Sequence, residues 1–132
     1  MAEAVLGVGV DIVENTRIRE SLEKFGDRFR RRVYTTGEQA YCEARPDPVL
    51  HYAARFAAKE AVSKAFGTGI GADLGWLDME VYKEGPSGEP LLRLLGKGSD
   101  LLRARGGARV LVSLSHTKDY AVAQAVLIGG VE

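Results

Sequence analysis

Arg55-Phe56-Ala57-Ala58-Lys59-Glu60-Ala61-Val62-Ser63-Lys64-Ala65-Phe66-Gly67-Thr68-Gly69 is the stretch on which the reading of this chain turns. At about 100° of rotation per residue, Ala54, Ala57, Ala58, Ala61, Val62 and Ala65 fall on one arc, with Lys59, Glu60, Ser63 and Lys64 opposite. The alanines favour a helix and are small enough to let another element lie close. Gly67-Thr68-Gly69 ends the helix with permissive backbone. The charged face has two readings. Glu60 and Lys64, four residues apart, form a solvated surface pair worth about 0.3–0.5 kcal/mol, or the face binds a metal and phosphates together.

Working outward, residues 5–12 read as a strand with Val8, Val10 and Ile12 on one side and Gly7, Gly9 and Asp11 on the other. Glycines beside an acid suggest close approach by another backbone or a ligand. Asn15 is placed to cap a helix reaching about Lys24, which Gly26 breaks; a second helix covers 27–33. Thr35 and Glu38 have the spacing of a capping box for a helix through Tyr41 and Cys42. The stiff Arg45-Pro46-Asp47-Pro48 leads into the long helix, expected over 49–66. Beyond it, 78–83 and 91–95 form a hairpin around Gly85-Pro86-Ser87-Gly88-Glu89-Pro90. A short helix over 99–105, capped by Ser99, precedes a second hairpin of 110–116 and 120–128. The expectation is one domain over residues 1–132, α+β, with a small, mainly antiparallel sheet packed on the long helix.

The 132 residues, 45% hydrophobic and 27% charged, suit one soluble globule. The 18 basic and 18 acidic residues cancel, so no global field favours nucleic acid. Locally they do not cancel. Residues 17–32 hold seven basic side chains (Arg17, Arg19, Lys24, Arg28, Arg30, Arg31, Arg32) against three acidic ones (Glu20, Glu23, Asp27), a local excess of +4. Phe29 gives that solvated cluster an apolar anchor for a partner. A nucleic-acid module built on 28–32 would need aromatic stacking residues and a basic chain, and has neither. Cys42, the only cysteine, excludes an internal disulfide and fits a reducing cytosol. The apolar run over 4–13 contains Asp11 and is too short to span a bilayer, so a soluble, unprocessed, cytoplasmic protein is expected.

Asp11 and Glu60 together suffice for a hard divalent cation, because Mg²⁺ takes one or two carboxylates and completes its shell with water and substrate phosphate. Lys64 would then meet phosphate oxygens as a point charge, and the backbone at Gly67 and Thr68 can approach an anion. The ordinary alternatives are a turn acid for Asp11, a surface ion pair for Glu60 and a hydrogen-bonded structural role for His116. His51, at a helix start, receives no role.

Taken together, Gly7-Val8-Gly9-Val10-Asp11-Ile12, the segment 55–69 and Ser113-Leu114-Ser115-His116-Thr117, in that order, resemble the three motifs of the holo-[acyl-carrier-protein] synthase family. This is the small trimeric group of 4′-phosphopantetheinyl transferases, and Gly88-Glu89-Pro90 falls at that family's hairpin. The resemblance implies magnesium-dependent transfer of 4′-phosphopantetheine from coenzyme A to a serine of an apo acyl carrier protein, for fatty acid synthesis, leaving adenosine 3′,5′-bisphosphate. It implies Asp11 and Glu60 as magnesium ligands, Glu60 and Lys64 as catalytic residues and Lys64 on the diphosphate. It also places Arg55 and His116 at the nucleotide site, where with Lys64 and the turn at Gly67 and Thr68 they would bind the substrate. Arg17, Arg28, Phe29 and Arg32 would dock the acidic carrier helix, in agreement with the local charge excess. For the serine proton the residues offer Glu60 or a metal-bound water. Three copies with active sites at their interfaces are implied, with no nucleic-acid or membrane partner. Met1 and the modest length favour a free enzyme over a domain of a megasynthase. The competing class is a noncatalytic module binding coenzyme A or another anion, in which two acids beside the phosphates would have no use.

Overall fold

The computed structural model describes residues 3–84 and 88–130. Its elements are β1 (Ala4–Glu14), α1 (Asn15–Phe25), α2 (Asp27–Val33), α3 (Thr36–Glu43), α4 (Pro48–Phe66), β2 (Met79–Lys83), β3 (Pro90–Leu94), α5 (Lys97–Ala104), β4 (Gly107–His116) and β5 (Tyr120–Gly129). A 3₁₀ turn, Trp76–Asp78, precedes β2. The antiparallel sheet has the order β1-β5-β4, with Asp11 opposite Ala123 and His116 opposite Ala121. β2 and β3 pair separately as a hairpin whose turn, at 85–87, lies outside the described residues. The architecture is α+β: an antiparallel sheet packed on one long helix.

α4 is the axis of the core. Its alanines 57, 58, 61 and 65 and the β5 alanines 121, 123 and 125 are all buried, so two surfaces of small side chains meet at short range. β1 comes closer still. A Cβ at Gly7 would collide with the carbonyl oxygen of Ala65, and one at Gly9 with that of Ala61. Only hydrogen fits between this strand and the helix backbone. Gly7, Gly9 and Asp11 therefore face α4, while Val8, Val10 and Ile12 point away, each about 60% exposed.

Three local expectations require correction. Asn15 does not cap α1. Glu14 occupies the cap position without a side-chain bond, and the buried Asn15 amide donates to the carbonyls of Thr117 and Lys118 at 2.9 and 3.0 Å. It thus ties the β1–α1 junction to the β4–β5 turn, a demand invisible to local spacing. Ser99 does not cap α5, which starts at Lys97; its hydroxyl donates to the Leu94 carbonyl instead. The opposite arc of α4 is not a uniform charged face, because Arg55, Lys59 and Ser63 are buried beside the alanines. Helices α2 and α3 and the 3₁₀ turn cover that side and bury it. The Thr35–Glu38 capping box forms as its spacing predicts.

Candidate active site

The glycine contacts decide what meets at the end of β1. With the strand lying on α4, Asp11 comes beside the last turns of the helix. The Lys64 ammonium donates to Asp11 Oδ1 at 3.0 Å and to the Val10 carbonyl at 3.1 Å. The Glu60–Lys64 pair of the bland reading is thereby displaced: lysine prefers the acid 53 positions away. Glu60 is half-buried, and its carboxyl is pushed above the usual carboxylate range by burial first and by Asp11 repulsion second, against the pull of Lys64 and Arg17. A carboxyl that is costlier to ionise beside a second carboxylate marks a site that a cation would relieve.

Among the described residues no group of three or more His, Cys, Asp or Glu side chains clusters as a metal cage. A two-carboxylate site excludes the closed tetrahedron that structural zinc demands and fits Mg²⁺, which keeps positions for water and phosphate. Gly67 ends α4 in the left-handed conformation, φ 79°. The N–H groups of Gly67, Thr68 and Gly69 bond back to the carbonyls of Lys64 and Ser63. The amide contact to an anion expected there is therefore taken by the helix end; Gly67 and Gly69 contribute open space, with no atom near where a Cβ would stand.

Arg55 and His116 lie in a second region. Arg55 is 2% exposed, and its Nε and Nη2 have no hydrogen-bond partner among the described residues. Its guanidinium sits 4.1 Å from the Tyr41 ring centroid, and Lys83 and Arg45 flank the same ring at 5.2 and 4.5 Å. Burial would raise the Tyr41 phenol, yet Lys83, Arg55 and Arg45 together bring it below its usual range. Tyr41, Arg55, Lys83 and Arg93 line a hollow of about 350 Å³ that also includes Glu80. Unpaired buried donors in a hollow with three cations are chemistry that an anion would satisfy. His116, at the exposed end of β4, meets the His51 ring at 5.3 Å. Sequence reasoning missed Tyr41, Arg45 and Lys83, because nothing in their spacing announces a common ring.

Lys59 was also misread. It is fully buried, pairs with Glu38 at 2.7 Å, and donates to the carbonyls of Val33 and Trp76. Glu38 in turn accepts from the N–H groups of Thr35 and Val81. The pair is a structural hub holding α2, α3 and β2 around α4. On the other flank, Arg28, Phe29 and Arg32 line a hollow of about 280 Å³ with Ser21 and Phe25. Arg17 reaches over the Phe56 ring at 5.9 Å and also acts on the charge of Glu60, so the start of α1 adjoins that carboxylate.

A carboxylate pair with a lysine, a cationic hollow and a basic helical face are the features that a site for a polyanionic substrate would need. The family model described as the 4′-phosphopantetheinyl transferase superfamily matches residues 7–125, and the chain belongs to that family. Its relatives include the holo-[acyl-carrier-protein] synthases of Koribacter versatilis, 47% identical over 93% of this chain and 98% of that protein, and of Ruminiclostridium cellulolyticum, 47% identical over 91% and 90%. The solved holo-[acyl-carrier-protein] synthase of Neisseria meningitidis superposes with a TM-score of 0.87 at 34% identity, covering 94% of this chain and 98% of that one. The Helicobacter pylori enzyme, solved in complex with coenzyme A, gives 0.81 at 31% identity over 91% and 98%.

Proposed function

We propose that Asp11, Glu60 and Lys64 are the working residues of a holo-[acyl-carrier-protein] synthase, transferring 4′-phosphopantetheine from coenzyme A to a serine of an apo acyl carrier protein. The observation that carries this assignment is the convergence of those three side chains, forced by the contact of Gly7 and Gly9 with α4. Asp11 and Glu60 would hold Mg²⁺, which when bound supplies positive charge to the diphosphate. In the reaction the serine oxygen forms a bond to the β-phosphorus while the bond to adenosine 3′,5′-bisphosphate breaks.

Lys64, half-exposed and long, supplies a mobile cation that can exchange Asp11 for a phosphate oxygen. Glu60 is the carboxylate that this chain offers for the serine proton. Arg55, with two donors unpaired among the described residues, and His116 bind the nucleotide; Gly67 leaves room beside Lys64, and Thr68 follows it in the same turn. Arg17, Arg28, Phe29 and Arg32 receive the acidic carrier helix next to the carboxylates, which places the serine. The protein acts in the cytosol, where Cys42, buried and with its thiol pushed up to about 12 by that burial, stays reduced. Among the described residues no helix is long and apolar enough to cross a membrane.

The outer face of the sheet supports assembly into a trimer. Val8, Val10, Ile12, Leu111 and Val122 are all exposed there, a contiguous apolar surface that a monomer would not normally show to water. Light scattering should give three times the protomer mass, and a monomer would refute this part.

The test of function is mass spectrometry of apo carrier protein incubated with coenzyme A. A gain equal to the phosphopantetheine arm, requiring magnesium and lost in Asp11→Ala and Glu60→Ala, supports the reading. Coenzyme A binding without that gain would instead make the chain a noncatalytic binding module.

A further inference from the structure

We propose that His51 is a further binding residue for the phosphates of coenzyme A, acting within the ring cluster it forms with Tyr41 and His116. The proposal rests on the nucleotide-binding role assigned above to Arg55 and His116. His51 precedes Arg55 by one helical turn on α4, so both side chains leave the helix on the same side. Its half-buried ring meets Tyr41 at 5.8 Å and His116 at 5.3 Å, each edge to face. It thereby links α3 to the end of β4.

The groups facing this imidazole are Arg55 on its own helix, Tyr41 on α3, Arg45 in the connection before α4, Lys83 on β2 and His116 on β4. Burial first, then the cations Arg55, His116, Arg45 and Lys83, hold it below the usual histidine range. In the free enzyme it is therefore neutral near pH 7. The same cluster contains two Arg55 donors without a partner among the described residues, so it is built to receive an anion. Entry of a phosphate dianion offsets most of the charge of Arg55, Arg45 and Lys83, and the imidazole then takes up a proton more readily and adds a charge to the cluster. His51 is thus a binding group that charges only when its ligand arrives.

The sign follows from linkage. A group neutral in the free protein and protonated in the complex tightens binding as pH falls, and loses that gain as pH rises through the bound-state pKa. Each unit by which binding raises the pKa is about a tenfold change in affinity across the window. The test is calorimetric titration of the magnesium-free enzyme with coenzyme A between pH 6 and pH 8, in buffers of different ionisation enthalpy, for wild type, His51→Phe and His51→Gln. Phe keeps the ring contacts and removes the proton. Wild type should take up a fraction of a proton near pH 7 and bind about tenfold tighter at pH 6 than at pH 8. Both variants should take up less and flatten the profile, whatever their thermal stability. Wild-type binding without proton uptake, or variants with the wild-type profile, would overturn the proposal. Failure of the carrier to gain mass would overturn the transferase reading instead, since this titration uses no carrier.

Discussion

If the site exists because β1 lies against α4 with nothing between them, a single methyl group should dismantle it. In Gly9→Ala the new Cβ would overlap the Ala61 carbonyl oxygen and stand 2.8 Å from the Ala65 nitrogen, where ordinary contact begins at 3.4 Å. Both obstacles are helix backbone in the middle of the core, so the strand must withdraw by more than half an ångström. Asp11 is two residues further along the same strand, on the same side. Its carboxylate then leaves the 3.0 Å contact with Lys64 and its place beside Glu60. Misplacement on this scale costs up to about 100-fold in rate, so kcat/KM should fall about 10- to 100-fold, equivalent to roughly 1.4–2.7 kcal/mol. Overpacking should lower stability by about 1–3 kcal/mol. The control is Gly71→Ala, where no atom lies within 4 Å and φ is not positive. Carrier modification followed by mass spectrometry, with thermal unfolding of each variant, measures both quantities. A Gly9→Ala protein with wild-type turnover and wild-type Tm would refute the argument that close packing assembles the site.

Lys59→Met should be among the most damaging substitutions away from the site. It strands the Glu38 carboxylate in the core, at a cost of about 3–5 kcal/mol and a fall in Tm on the order of 10–20 °C, read by calorimetry. Glu60→Gln should do the reverse while abolishing carrier modification. The folded pKa of Glu60 lies above its unfolded value, so its stabilising effect is present below the unfolded pKa and is lost as pH rises through the folded one. At pH 7 without magnesium the neutral amide should therefore raise Tm, the difference should vanish toward pH 4, and magnesium should stabilise only the wild type. Arg17→Ala combined with Arg28→Ala should raise the carrier protein's KM, most strongly at low salt, with less change in the KM for coenzyme A. An effect confined to coenzyme A would contradict the docking role.

The long helix, the capping box at Thr35, the two hairpins and the glycine-bearing strand were legible because each is written in local spacing. So was the side of β1 that carries Gly7, Gly9 and Asp11, since strand alternation has a period of two. The face of α4 was legible only in part. Helical rotation put Lys59 and Ser63 with Glu60 and Lys64, but which of them reaches water depends on what packs over the helix. That was α2, α3 and the 3₁₀ turn, which made Lys59 a core residue with Glu38 as its partner. The same limit hid Tyr41 and Lys83, which become neighbours of Arg55 only across three separate elements.

By itself, then, the order of residues determined the elements and the small-residue surfaces that bring β1 and α4 together, and it put Asp11 on the strand face, and Glu60 and Lys64 on the helix, that those surfaces adjoin. The tertiary structure decided their pairings: Lys64 with Asp11 instead of Glu60, Asn15 with the β4–β5 turn instead of its own helix, and Arg55 beneath Tyr41 with two nitrogens unpaired among the described residues. Helix and strand periodicities specify directions from a local axis. Charge partners, burial and the shifts they cause are set by distances between axes, and those exist only once the core has closed.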